Sequence, residues 1–226
     1  MSNTKADRRN LYVIGAIVAV ILAMVGVGLF VQSQRDTTGE SDIDPRGATS
    51  DYGVVIGDAD APRTITLYED FQCPVCAAFE QASAEQVRAA VEDGKVKLEY
   101  RMVSFLDRAS QNAYSSRAAN AAMVVLDTAG KDAFWKFHDL LFANQPEEGT
   151  AGPDDDALIA LALEAGADEN EVSDRIKNGE FDQWVLNATD EMSRNGVTGT
   201  PTVLIDGERA GETAADSLQA VLDAVK

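Results

Sequence analysis

The sequence predicts an α/β domain in the order β-α-β, helical block, β-β-α, behind one N-terminal transmembrane helix. Three observations predict it. Leu11 to Val31 carries no charge and no strongly polar side chain. Two β-like runs, Arg63 to Glu69 and Val96 to Val103, flank a helical run that ends at Asp93-Gly94. Beyond about Ser110 the pattern is helical almost to Asn195, after which Thr202-Val203-Leu204-Ile205 returns to strand chemistry.

Residues 1–10 are polar and basic through Lys5, Arg8 and Arg9. The apolar run 11–31 is long enough as a helix to cross the roughly 30 Å hydrocarbon core of a bilayer. A cleaved signal peptide has a shorter apolar region and ends at small residues, whereas this run ends Leu29-Phe30-Val31-Gln32. An uncleaved anchor is therefore expected, with the basic N-terminus cytoplasmic and the remainder outside. Residues 32–51 are rich in Ser, Thr, Asp and Gly and read as a flexible linker, whose reach as a coil is roughly 25 Å.

The folded domain is expected over 52–226. Val54-Val55-Ile56 is a short strand, and Asp60-Ala61-Pro62 turns the chain into the next one. Phe79, Ser83, Val87 and Ala90-Val91 recur at helical spacing. Val96, Leu98, Tyr100 and Met102 alternate as one face of a core strand. The helical block, an insertion of approximately 107–195, divides into Ser110 to Ala129, Lys131 to Ala143, Asp154 to Ala165, Glu169 to Lys177 and Phe181 to Asn195. Asp206-Gly207 then turns into a short strand near Glu208 to Gly211, and Leu218, Val221, Leu222 and Val225 stripe a closing helix.

Composition narrows the function classes. The net charge of −19 argues against a nucleic-acid partner. The chain has only two cysteines, Cys73 and Cys76. Three residues apart, they close too short a loop to stabilise a fold through unfolded-state entropy, so their value lies in redox chemistry. They fall between a β-run and a helical run, on the first turn of a helix, where unpaired N–H groups and the macrodipole favour a thiolate. Pro74 suits the first helical position because it has no N–H to lose. A metal reading is disfavoured: zinc needs about four ligands, and the chain offers two thiols and one histidine. No metal site is expected.

The runs Leu67 to Cys76, Ala133 to Phe142 and Gly196 to Gly207, the last holding Thr200-Pro201, resemble the DsbA-like thiol-disulfide oxidoreductases of the thioredoxin superfamily, in particular their membrane-anchored envelope type. The likeness covers about Tyr52 to the C-terminus. It implies a thioredoxin fold with an inserted helical domain. It further implies that Cys73 is the exposed attacking sulfur, Cys76 the more buried resolving one, and Thr200-Pro201 a cis-proline loop that leaves backbone groups free for an extended substrate. No cofactor is implied beyond the Cys73–Cys76 disulfide itself. The implied partners are folding exported proteins and a quinone-linked membrane re-oxidant of the DsbB or VKOR type. Transfer of the disulfide to exported proteins is the activity expected; a reductase or isomerase, or a non-enzymatic chaperone using the same groove, are the alternatives.

Val75 departs from the best-known members, which carry histidine there. Unable to donate a hydrogen bond or carry charge, it is expected to leave Cys73 less acidic than in those members. Glu69 and Asp70 read either as a proton relay to Cys76 or as solvated acids at a strand end. His138, on a helix face with Phe134, Phe137 and Leu141, reads as a packing or capping residue of the insertion rather than a catalytic base.

Overall fold

The structure, a computed structural model, describes Gly39 and residues 43–226. The expected cytoplasmic segment 1–10, the anchor 11–31 and most of the linker lie outside the described residues. Among the described residues no helix is long and apolar enough to cross a membrane.

Strands β1 (Val54–Ile56), β2 (Arg63–Glu69), β3 (Val96–Met102), β4 (Thr202–Ile205) and β5 (Glu208–Arg209) form one sheet in the order β1-β3-β2-β4-β5. β2 and β3 are parallel, and helix α1 (Pro74–Glu92) makes the crossover between them. The other neighbours are antiparallel. Alternation along β2 assigns its two faces. Ile65 and Leu67 line the α1 side with Phe79, Tyr100 and Val221, whereas Tyr68 packs with Met192, Val197 and Leu204.

α1 ends where the sequence places its stop. Gly94 takes φ +69°, and the Lys95 and Gly94 amides bond back to the carbonyls of Ala90 and Val91, closing the helix in a left-handed cap. The insertion begins after a 3-10 turn (Asp107–Ala109) and comprises α2 (Tyr114–Ala143), α3 (Asp155–Ala165), α4 (Glu169–Lys177) and α5 (Asp182–Arg194). α2 is two helices in one, broken at Gly130, whose φ of 82° and ψ of −175° lie outside helical space. α6 (Ala214–Ala224) closes the chain behind a capping box made by Thr213 and Asp216.

The expected linker boundary shifts. Pro45 is buried, Ala48 bridges to Val54, and Arg46 bonds Asp127 of α2. The end of the stretch read as a tether is therefore held on the domain, because its polar groups find partners there that composition does not reveal.

Candidate active site

The antiparallel pairing of β2 with β4 builds the site. Tyr68 lies opposite Thr202, so the exit of β2, leading to Cys73, and the entrance of β4, preceded by Pro201, share one end of the sheet. The Thr200–Pro201 peptide is cis, as the family likeness implied. The Cys73 thiol donates to the Thr200 carbonyl at 3.4 Å, joining residues far apart in the chain.

Cys73 is the N-cap of α1 and Pro74 its first residue. Both cysteines are reduced, and both are buried: 5% of Cys73 is exposed and none of Cys76. The order of exposure matches expectation, but Cys73 is less open than an attacking sulfur was expected to be. Gln145, just beyond α2, explains part of that. Its side-chain amide donates to the carbonyls of Phe71 (2.9 Å) and Cys73 (3.0 Å), drawing the insertion over the loop. Nothing in local sequence pattern marks Gln145.

The two thiols are driven apart electrostatically. Hydrogen bonding from the Cys76 thiol, aided by the Thr200 side chain and the backbone amides of Cys76 and Val75, outweighs burial and lowers Cys73 to about 6. Burial, the bond to Cys73 and the charge of Glu69 push Cys76 well above the ordinary thiol range. Val75 contributes through its amide alone; the residue is 46% exposed.

Glu69 and Asp70 are fully buried, which corrects the reading of them as solvated acids. The alternation that puts Ile65 and Leu67 inside also puts Glu69 inside. Asp70 is a brace. Its carboxyl accepts from the Gln72 amide (2.9 Å), the Ser115 hydroxyl (2.6 Å) and the Leu106 amide (2.8 Å), and burial raises it to about 6 against those bonds. It thereby fixes the loop before Cys73 to the β3–α2 connection.

His138 also exceeds its sequence reading. It packs among Phe71, Tyr100, Phe134 and Phe142, and its Nε2 lies 3.0 Å from Glu69 Oε2. Glu80, from the buried face of α1, completes the group; donor atoms of Glu69, Glu80 and His138 lie within 4.8 Å of one another. Sequence signal existed for Glu80, which follows Cys76 and precedes Ser83 and Val87 at helical spacing.

A family described as Thioredoxin matches residues 49–224. In structure the chain is similar to oxidised Mtb DsbA, 34% identical with a TM-score of 0.62 over 79% of this chain and 90% of that one. It is also similar to the reduced disulfide bond oxidoreductase DsbG of Mycobacterium tuberculosis, 33% identical with a TM-score of 0.63 over 84% and 91%. The chain is a DsbA-like member of the thioredoxin family. Among curated proteins, the serine/threonine-protein kinase PknE of Mycobacterium tuberculosis is 31% identical over 159 residues, 67% of this chain. The match spans only 28% of that kinase's length. In this DsbA-like chain Cys73 and Cys76 stand at the start of α1, beside the cis Thr200–Pro201 peptide.

Proposed function

We propose that this DsbA-like protein is an extracytoplasmic thiol-disulfide oxidoreductase that transfers a Cys73–Cys76 disulfide to exported proteins. The observation that carries the reading is the placement of the pair, with Cys73 at the N-cap of α1, 3.4 Å from the carbonyl before the cis-proline, and Cys76 fully buried one turn on; the opposed acidity of the two sulfurs agrees with it. A substrate thiolate attacks Cys73 Sγ, the S–S bond breaks, and its electron pair goes to Cys76, which takes up a proton. A second substrate thiolate then attacks the substrate sulfur of the mixed disulfide and expels Cys73. Expulsion is easy because a thiolate of low pKa is a good leaving group. The substrate leaves with a disulfide, and the protein keeps two reduced cysteines.

Pro201 and Thr200 border Cys73 where an extended substrate segment would lie, and Glu69, whose charge acts on the Cys76 thiol, relays its proton. Val75 presents a neutral apolar side chain at the mouth and leaves Cys73 less acidic than a histidine there would. The apolar run 11–31 anchors the domain to the outer face of the cytoplasmic membrane, within reach of a quinone-linked re-oxidant of the DsbB or VKOR type.

Cys76→Ser tests the exchange. Without the resolving sulfur, mixed disulfides through Cys73 are expected to accumulate in the envelope and to run as reducible adducts on non-reducing gels. Absence of such adducts in Cys76→Ser, with Cys73 still alkylatable, sinks the mechanism.

A further inference from the structure

Glu69 does not stand alone beside Cys76. β2 supplies Glu69, α1 supplies Glu80 and α2 supplies His138; Glu69 and His138 are wholly buried and Glu80 is 8% exposed. His138 Nε2 lies 3.0 Å from Glu69 Oε2, and among the described residues Glu69 Oε1 has no hydrogen-bond partner. The other ionisable neighbours are few. Asp139 Oδ1 lies 3.7 Å from His138 Nδ1 and its carboxylate is held by Arg88 at 2.6 Å. From β3 comes the Tyr100 phenol, which accepts from Trp135 Nε1.

Two carboxyls this close in a buried site do not both ionise. Burial and the neighbouring Glu69 push Glu80 far up, so it holds a proton. Burial alone would lower His138, but the nearby Asp139, the contact with Glu69 at 3.0 Å and the charges of Glu80 and Glu69 raise it to about 10.

We propose that His138 is a positioning residue for disulfide exchange: from the helical insertion its ring fixes the Glu69 carboxyl, so that the proton carried by buried Glu80 is supplied to Cys76 through Glu69. The inference rests on exchange through Cys73 and Cys76. When a substrate sulfur bonds to Cys73 and the electron pair of the broken S–S bond moves to Cys76, the Glu80 proton passes to Glu69 and from Glu69 to that sulfur. Glu80 then regains a proton from water. A cavity of about 10 Å³, enough for one water, is lined by Glu80, Arg88, Tyr100, Trp135 and Asp139 between α1 and α2 and offers the route.

His138 is the sole histidine, so its labelled ring gives an unambiguous magnetic resonance signal in the full-length protein. The ring is expected to stay doubly protonated through pH 8, and Glu69→Gln is expected to cut its proton affinity at least a hundredfold. A ring that titrates near 6.5, or ignores Glu69→Gln, overturns the inference, as does a stoichiometric bound zinc ion that His138→Gln releases.

The second arm follows resolution of a Cys73 mixed disulfide by Cys76. In His138→Gln the ring no longer fixes Glu69 and its charge no longer lowers Glu80, so Glu80 holds its proton more tightly and the relay does not accept the Cys76 proton at low pH. Resolution is expected to fall about tenfold at pH 6 and to approach the parent rate by pH 9, with the pH profile of Cys73 alkylation unmoved. A loss equal at every pH means a structural role only and overturns the inference. If the parent protein itself resolves no mixed disulfide, the exchange reading fails instead.

Discussion

At the scale of single residues, Asp70 shows how a buried acid beside the cysteines serves the scaffold and leaves a pH signature. Its carboxyl accepts three hydrogen bonds yet is raised to about 6, because burial outweighs them. The folded state therefore binds this proton more tightly than the unfolded chain, whose aspartates titrate near 3.9. Its contribution to stability is fully present below about pH 4 and is lost as pH rises through about 6. A shift of two pKa units corresponds to about 3 kcal/mol. Asp70→Asn removes that titration. The stability advantage of the parent protein over Asp70→Asn is expected to shrink by about 3 kcal/mol between pH 3.5 and pH 7, read by urea unfolding at each pH. A constant difference across that range removes Asp70 as a titrating brace. Cys73, by contrast, is lowered first by the Cys76 thiol one turn on, then by the Thr200 side chain and the backbone amides at the start of α1, so much of its environment follows from its place in the sequence.

Among the elements, those defined by local rules were legible and those defined by distant partners were not. β2, β3, β4 and the two halves of α2 fall where periodicity and glycine stops put them. The insertion's first helix starts later than expected, at Tyr114, because Ser110 bonds back to the Tyr114 amide and Ala113 turns left-handed at φ 51°. The site followed the same divide. Cys73, Pro74 and Cys76 lie on one turn and could be placed from sequence. The bonds of Asp70 to Leu106 and Ser115, and of Gln145 to Cys73, join separate elements with no periodic signature. Glu69 and Glu80 are intermediate cases: each lies in phase with apolar neighbours, but a carboxylate on an apolar face reads as surface until its histidine partner is known. The break in α2 gives this scale its prediction. No atom stands within 4 Å of a Cβ built on Gly130, so space is not the obstacle, whereas its φ and ψ fall in a region that only glycine enters freely. Gly130→Ala is expected to cost about 1–3 kcal/mol in chemical unfolding while leaving Cys73 alkylation unchanged. A neutral or stabilising result means that the two halves of α2 can join as one straight helix.

For the whole molecule, the contacts of residues 43–51 decide where the folded domain begins. Residues 43–51 have the composition of a tether and the contacts of a strap. Arg46 reaches Asp127 at 3.1 Å, but Arg46 is largely exposed and such a pair stabilises little. Arg101 matters more. It is 9% exposed, and its guanidinium bonds Asp51 at 2.5 Å as well as Glu99, so loss of Asp51 leaves a buried cation short of a partner. The buried Pro45 and the approach of Gly47 to Leu126 add apolar cover over α2. A soluble form that starts at Tyr52 is therefore expected to unfold about 2–3 kcal/mol more easily than one that starts at Ile43, with the larger loss from Arg101 and the smaller from exposed Leu126. Equal urea midpoints for the two forms would make residues 43–51 a tether after all. A lower midpoint with an unchanged denaturant slope makes them part of the folded unit.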